Sequence, residues 1–462
     1  MSVIILGAGA TGLGTALGFA MDRSAPPVTL IEKAPRPGGL AGSFRWKGHT
    51  VDFGPHRLSP NIEEVRVLAR EMLGTDCLIK KNQNGVEFRG KLYQFPIRAA
   101  DWADASSLGA LVLLGSSFLW EKIAWIPRRF ENETFESAIV RKFGRCFYDW
   151  IAHPMAEKVW SRASSIDPAF VNQRFASVHP WQILKKMVIP RQELHPSDFY
   201  YPRKGFQQLW DSIVAYLTRQ GQQVLLGAEP VEIRVRDHKI VRVDLQTAQG
   251  PAALEGEDLQ IVSTIPIVSL VRLMRGIDTE PLIELSRGIS VRSMVLVPLE
   301  FDGPSALPFR AIQFPESRFC FNRLMEQNAY SRETVEAGKS VVVADVTVPR
   351  DSDEWKRSDA EWIESVKRDL TGLAYVPLDR LRDAHVQRVE FAYMVPDTRT
   401  RSAMHRIRQE LQSVTNLELA GRFSSGEYDN SDYALDNGLT LSRMLTGLKR
   451  SSTACMTIVG GK

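Results

Sequence analysis

The stretch VIILGAGATGLG, Val3 to Gly14, runs an apolar strand straight into a glycine-rich turn. Residues 2–6 alternate little, as in a strand buried on both faces. Gly7, Gly9 and Gly12 then match G-x-G-x-x-G. The first glycine allows the tight turn, the second lets backbone approach a pyrophosphate, and the third lets helix and strand pack closely. Residues 11–20, with Ala10 and Thr11 opening the turn, supply a helix whose N-terminal amides face the phosphates. PVTLIEK reads as the next strand, and Glu32 at its end lies 20 residues beyond Gly12. A carboxylate there binds ribose hydroxyls and repels a 2′-phosphate. The pattern predicts a dinucleotide site, disfavours NADP, and leaves NAD and FAD open.

The segment after Glu32 and Lys33 separates these two. EKAPRPGGLAGSF places Arg36, Gly38, Gly39, Leu40, Gly42 and Ser43 in the order R-x-G-G-x-x-x-S. This resembles the FAD-dependent amine oxidase superfamily, in which those glycines let the chain pass close under the cofactor. GHTVDFGPHRLSP resembles the same superfamily's D-x-G-x-H stretch beside the flavin ring, and the resemblance implies contacts from Gly54, Pro55 and His56. Residues 227–245 alternate like a hairpin around Asp237, His238 and Lys239. In the superfamily a residue at the Val231 position meets the adenine through its backbone. LQIVSTIP, with Thr264, resembles the returning strand, and LELAGRFSSGEYDNSDYALDNGLTLSRML resembles the closing flavin motif. There Gly421, Arg422 and Asp432 come near the flavin, and the helix that follows points its N-terminus at the pyrimidine edge. Many relatives have Gly-Asp where this chain has Gly421–Arg422. The resemblance implies non-covalent FAD, because no cysteine stands between Thr415 and Gly421.

Further stretches, 88–97, 133–144, 154–160, 199–211 and 389–397, resemble a bacterial branch described as protoporphyrinogen-oxidase-like or UDP-galactopyranose-mutase-like. The implied fold is α/β, a Rossmann-like FAD-binding domain of GR2 type with a discontinuous mixed α+β substrate domain. The expected boundaries are 1–90, 200–268 and 412–450 for the first, 91–199 and 269–411 for the second, and 451–462 for a partly disordered tail. The implied chemistry is dehydrogenation of a small molecule by hydride transfer to flavin N5. His56 is the candidate for tuning or proton handling at the ring, and Arg323 and Tyr393 for substrate contact. The lysine that amine oxidases commonly hold near N5 is replaced here by Arg292 and Ser293. A redox-neutral mutase on a nucleotide sugar is the alternative. It would need arginines around a diphosphate, for which Arg174, Arg203, Arg323 and Arg399 are candidates, and a polar ring pocket, for which Tyr93, Tyr200, Tyr201, Tyr330, Tyr393 and Tyr428 are available. A flavin-containing binding protein without turnover is the third reading.

Composition excludes other classes. A net charge of +4 over 462 residues, without a long Lys/Arg run, argues against a nucleic-acid partner. The four cysteines, Cys77, Cys146, Cys320 and Cys455, have no metal or redox spacing, and the eight histidines form no metal motif. Together with the absence of a signal-like N-terminus, this predicts a reducing, cytoplasmic location and no metal. LGALVLLGSSFLW, residues 108–120, is shorter than the roughly 20 residues a spanning helix needs. It reads first as a buried helix; the flanking Lys122, Arg128 and Arg129 leave peripheral membrane contact as the alternative. Ser358 is expected to cap an amphipathic helix, and the oligomeric state is left open.

Overall fold

A computed structural model describes residues 1–59, 62–95, 105–124, 133–160, 162–174, 198–426 and 429–447. The chain divides into two units: residues 1–81, 196–289 and 401–462 form the first, and 82–195 and 290–400 the second.

The first unit is built on a five-stranded parallel sheet ordered Leu417–Leu419, Leu259–Ser263, Ser2–Leu6, Val28–Glu32 and Gln223–Leu226. Val3 to Leu6 are almost fully buried, as their unalternating pattern requires. The sheet reverses its winding order beside Ser2–Leu6, which puts the C-terminal end of that strand at a topological switch point. The Ala10–Met21 helix follows at once, and the Ser431–Thr446 helix packs along it. This packing depends on missing side chains. A Cβ on Gly14 would lie 2.4 Å from the Leu435 carbonyl oxygen, and one on Gly438 would lie 2.2 Å from the Thr11 carbonyl oxygen. The hairpin of Glu229–Arg236 and Lys239–Thr247 turns through Asp237 and His238, both at positive φ as a tight two-residue turn demands.

The second unit carries an antiparallel-rich eight-stranded sheet in which Val291–Asp302 pairs, from Arg292 onward, with the whole of Lys339–Pro349. Its core gathers Val295, Val297, Leu299 and Phe301 with Phe314, Phe319 and Phe321 and the buried face of the Asp359–Leu370 helix. That helix starts at Ser358, whose side chain accepts from the Glu361 amide while Glu361 reaches back to the Ser358 amide.

Four expected boundaries move, the one at 199/200 by only four residues, to 195/196. Residues 82–90 join the second unit, because Asn84–Phe88 pairs with Lys91–Phe95 and with Ala311–Gln313. Residues 269–289 belong to the first, where Met274–Arg275 pairs in parallel with Ile233 and Arg234. Residues 401–411 also belong there, with Arg408 Nη1 donating to the Ser424 carbonyl at 3.0 Å. The expected buried helix is a further correction. Ala105–Ala124 is helical, but Val112, Leu113, Leu119 and Trp120 are exposed. An apolar run identifies a helix without saying that every face of it is covered. The expected tail, 451–462, and Tyr428 lie outside the described residues.

Candidate functional site

The switch point of the first unit holds a backbone cradle. Gly7 has φ of 101°, and a Cβ there would lie 2.6 Å from Thr264 Oγ1. Thr264 Oγ1 itself donates toward the carbonyls of Leu6 and Gly7, at 2.9 and 3.1 Å. A Cβ on Gly12 would sit 1.9 Å from the Gly7 carbonyl oxygen, so this glycine closes helix onto strand. Gly9 differs: no protein atom lies within 4 Å of where its Cβ would be. It begins the Ala10–Met21 helix with no side-chain cap and no acidic residue in the first turn. The first amides of that helix therefore face open space with a positive partial charge.

The second strand delivers Glu32 to the same place. Its two carboxylate oxygens accept from the amides of Ala8, at 2.8 Å, and Ala34, at 2.9 Å. These bonds fix the carboxylate beside the glycine turn while leaving lone pairs on both oxygens. Gly38 bridges to Gly9 and donates to the Ala8 carbonyl at 2.7 Å. A Cβ on Gly39 would come within 3.4 Å of Gly9 Cα. Lys33, Arg36 and Gly39 are exposed and Leu40 is half-buried. Val231 lies at a β-bulge between Pro230 and Glu232, so it falls out of the ladder, and its side chain is 47% exposed. Gly421, at φ of 80°, caps the Arg422–Ser425 turn; a Cβ on it would be 3.5 Å from both Thr11 and Thr264. Arg422 donates to the Asp429 carbonyl. Asp432 is 3% exposed in the first turn of the Ser431–Thr446 helix. Burial holds its carboxyl above the usual range, against the lowering effect of amide bonds from Ser59 and Tyr433.

The flavin-type loop is braced by residues that the motifs did not single out as functional. Buried Asp52 accepts from Ser43 Oγ and Tyr201 Oη, both at 2.6 Å, and from the Phe206 amide at 3.2 Å. Gln207 Nε2 donates to the Pro37 carbonyl, and Trp210 Nε1 to that of Ala41. Gly54, Pro55 and His56 follow directly; the His56 amide donates to the Gly54 carbonyl, and its ring lies 5.3 Å from that of Phe206. Ser43 and Asp52 were within the quoted motifs, but only their register across a short hairpin shows that they meet.

In the second unit Arg323 begins a strand opposite Asp345 and pairs with its carboxylate. Burial alone would lower the Arg323 pKa; Asp345, with Tyr393 and Tyr330, drives it up instead. Arg323, Tyr393 and Tyr330 thus share one electrostatic neighbourhood. Tyr330 is buried beneath Arg310, 5.3 Å from its ring centre. Of the other ring candidates, Tyr93 joins the core around Phe88. Tyr200 and Tyr201 are buried in the first unit, where Tyr200 accepts from Arg70. Arg203 is paired with Asp76 at 3.0 Å, Arg399 is exposed, and the Arg174 side chain lies outside the described residues. Arg292 donates to the carbonyls of Lys158 and Thr347, and burial lowers its pKa. Lys158 is the group that sequence reasoning passed over. Its Nζ donates to the carbonyls of Phe314, Glu316 and Phe321 at 2.7, 3.1 and 2.7 Å, and burial lowers its pKa to about 8. Among the described residues no group of His, Cys, Asp and Glu could hold a metal ion.

Residues 11–434 match the family of flavin containing amine oxidoreductases. The chain belongs to that family. Within this amine oxidoreductase family it is an enzyme with a flavin cofactor. The fold matches reduced UDP-galactopyranose mutase with a TM-score of 0.78, covering 96% of this chain and 94% of that one at 19% identity. It also matches a protein from Exiguobacterium sp. 255-15 assigned as a protoporphyrinogen oxidase, with a TM-score of 0.68 over 96% and 98% of the two chains at 17% identity. A curated relative, coproporphyrinogen III oxidase of Staphylococcus aureus, is 33% identical over 98 residues, 21% of each protein. The match thus spans about a fifth of that relative. The residues present fit a flavin dinucleotide: the open side of Gly9, the uncapped helix and the Val231 bulge are spaces and donors the fold itself does not use.

Proposed function

We propose that this chain holds FAD non-covalently in its first unit and dehydrogenates a small-molecule substrate. The open space over Gly9, beside an uncapped helix N-terminus, is the observation that carries the FAD assignment. Amides of Ala10, Thr11 and Gly12 would donate to the diphosphate. Glu32, oriented by the Ala8 and Ala34 amides, would accept from ribose hydroxyls, and Lys33 and Arg36 lie on the exposed rim. The Val231 backbone, freed by its bulge, is available to the adenine. Gly38, Gly39, Leu40, Gly54, Pro55, Thr264 and Gly421 would provide the close backbone walls. The N-terminus of the Ser431–Thr446 helix, with Asp432 and Arg422 beside it, would set the electrostatics near the flavin.

When bound, FAD supplies a two-electron acceptor. The chain's own part is positioning and charge. His56, seated against Phe206, would tune or exchange protons at the ring. Arg323 and Tyr393 would contact substrate from the second unit. The Arg323–Asp345 pair cancels the charge that a diphosphate clamp would require, and Arg203 is similarly committed to Asp76. This favours an uncharged or weakly charged oxidisable substrate over a nucleotide sugar. The mutase reading keeps one support, the fold shared with UDP-galactopyranose mutase.

The test is an anaerobic panel of oxidisable metabolites, followed by flavin absorbance. Bleaching by one compound supports dehydrogenation. A band that no compound bleaches, with a nucleotide sugar rearranged only after dithionite reduction, overturns it in favour of isomerisation.

A further inference from the structure

The eight-stranded sheet of the second unit has two unlike faces. Along Val291–Asp302 the period of two sends Val295, Val297, Leu299 and Phe301 into the apolar core, and Arg292, Met294 and Leu296 to the other side. The paired strand repeats the division: Ala344, Val346 and Val348 join the core, while Asp345 and Thr347 face away from it. The register sets three rows on this second face. Arg292 stands between Pro349 and Tyr393, Met294 beside Thr347, and Leu296 beside Asp345 with Arg323 beyond. The one carboxylate in these rows, Asp345, is paired with Arg323. Two guanidinium groups against one carboxylate leave a single positive charge, and it rests on Arg292.

Among the described residues Arg292 has no acid of its own. Its Nη2 donates to the carbonyls of Lys158 and Thr347, at 2.9 and 3.1 Å, which holds the side chain without neutralising it. Its Nε is buried without a partner, and its Nη1 donates to no described residue. Glu354 acts on it through space, but is exposed and forms no ion pair with it. The guanidinium is half-buried, and burial lowers its pKa. A cation withdrawn from water and held by neutral groups alone is costly unless an anion joins it.

We propose that Arg292 anchors a carboxylate group of the substrate, so that the compound this chain oxidises is a monocarboxylic acid. The ligand is called a substrate on the strength of the dehydrogenase reading; the anion site stands without it. A planar guanidinium with donors to spare matches a planar carboxylate. One uncompensated charge suits one carboxylate, whereas a phosphate group brings close to two negative charges at neutral pH. The surroundings suit an organic acid: Tyr393, directly across the strand, offers a ring and a hydroxyl, and Met294 and Leu296 continue the face as apolar surface. Arg323 serves this purpose less well, because Asp345 already answers its charge. Lys158 does too, because its Nζ donates to three carbonyls.

The test is isothermal titration calorimetry of the oxidised, flavin-loaded chain with hexanoate, benzoate and phenylacetate, each set against its neutral amide at pH 7. At least one acid is expected to bind wild type about tenfold or more tightly than its amide. Arg292→Gln should remove that preference, leaving acid and amide within about threefold of each other. Arg292→Lys keeps the charge and loses the planar fork. It should weaken the acid by an intermediate factor, and it serves if the glutamine variant fails to fold. No preference for the acid in any of the three pairs overturns the proposal. So does a preference that survives undiminished in either folded variant, since the anion would then bind elsewhere. The readout is equilibrium binding, so it fails separately from the dehydrogenase reading: a chain that binds these acids through Arg292 while no compound bleaches its flavin would keep the anion site and lose the reaction.

Discussion

Gly9→Ala separates the cofactor cradle from the fold more cleanly than any other single change. Gly9 has φ of −71° and ψ of 178°, a conformation open to any residue, and its added Cβ would meet no protein atom within 4 Å. The substitution should therefore leave the flavin-free fold intact, or stabilise it by about 0.4–1 kcal/mol through the unfolded chain. The same methyl, about 1.5 Å from Cα, would stand where a pyrophosphate must approach. Losing one or two charge-assisted amide bonds costs about 2–4 kcal/mol, or roughly 30- to 1000-fold in FAD affinity. Gly12→Ala should behave oppositely. Its Cβ would lie 1.9 Å from the Gly7 carbonyl oxygen, a backbone clash that lowers stability with or without cofactor. The assays are thermal unfolding of the flavin-free proteins and titration of FAD by its fluorescence. Gly9→Ala binding FAD within about threefold of wild type, outside the reach of even one lost bond, would refute the reasoning. So would a Gly9→Ala chain that unfolds when Gly12→Ala does not.

Glu32→Gln must turn an NH2 group toward the Ala8 or Ala34 amide; a loss of about tenfold to hundredfold in FAD affinity is expected by the same titration. Gly14→Ala would set a Cβ 2.4 Å from the Leu435 carbonyl oxygen and should cost about 1–3 kcal/mol, read as a lower unfolding midpoint. Lys158→Met would remove the donor shared by three carbonyls and should cost about 2–4 kcal/mol in denaturant unfolding. Lys158 titrates in the folded chain at about 8, below its ordinary 10.5. Between these values the unfolded chain keeps a proton that the native one sheds, so this group's contribution to stability rises with pH. The advantage of wild type over Lys158→Met should widen from pH 8 to 10.5, and a constant or shrinking difference would contradict the assignment.

The cradle was legible in the sequence because glycine spacing encodes backbone geometry directly. Gly7, Gly9 and Gly12 need no partner identity to be read. What escaped depends on contacts between distant segments. Residues 82–90 read as a continuation of the first domain, and only the pairing of Asn84–Phe88 with Ala311–Gln313 assigns them to the second unit. Gly14 and Gly438 look like ordinary helix glycines until the two helices are seen to touch. Arg323 reads as a free cation until Asp345 faces it from the next strand. Lys158 lies in a quoted stretch, yet nothing local shows that three carbonyls converge on it. Hydropathy of 108–120 gave the helix and left its exposed face unannounced.

The most direct test of the account is the identity and stoichiometry of the flavin released from the purified chain by acid precipitation. The account predicts FAD, about one per chain, in the supernatant. FMN in its place would contradict the account, since Glu32 and the Val231 bulge would then have no adenosine half to bind. Flavin remaining with the pellet would contradict non-covalent binding, and a chain that neither carries nor takes up flavin would contradict the cradle itself.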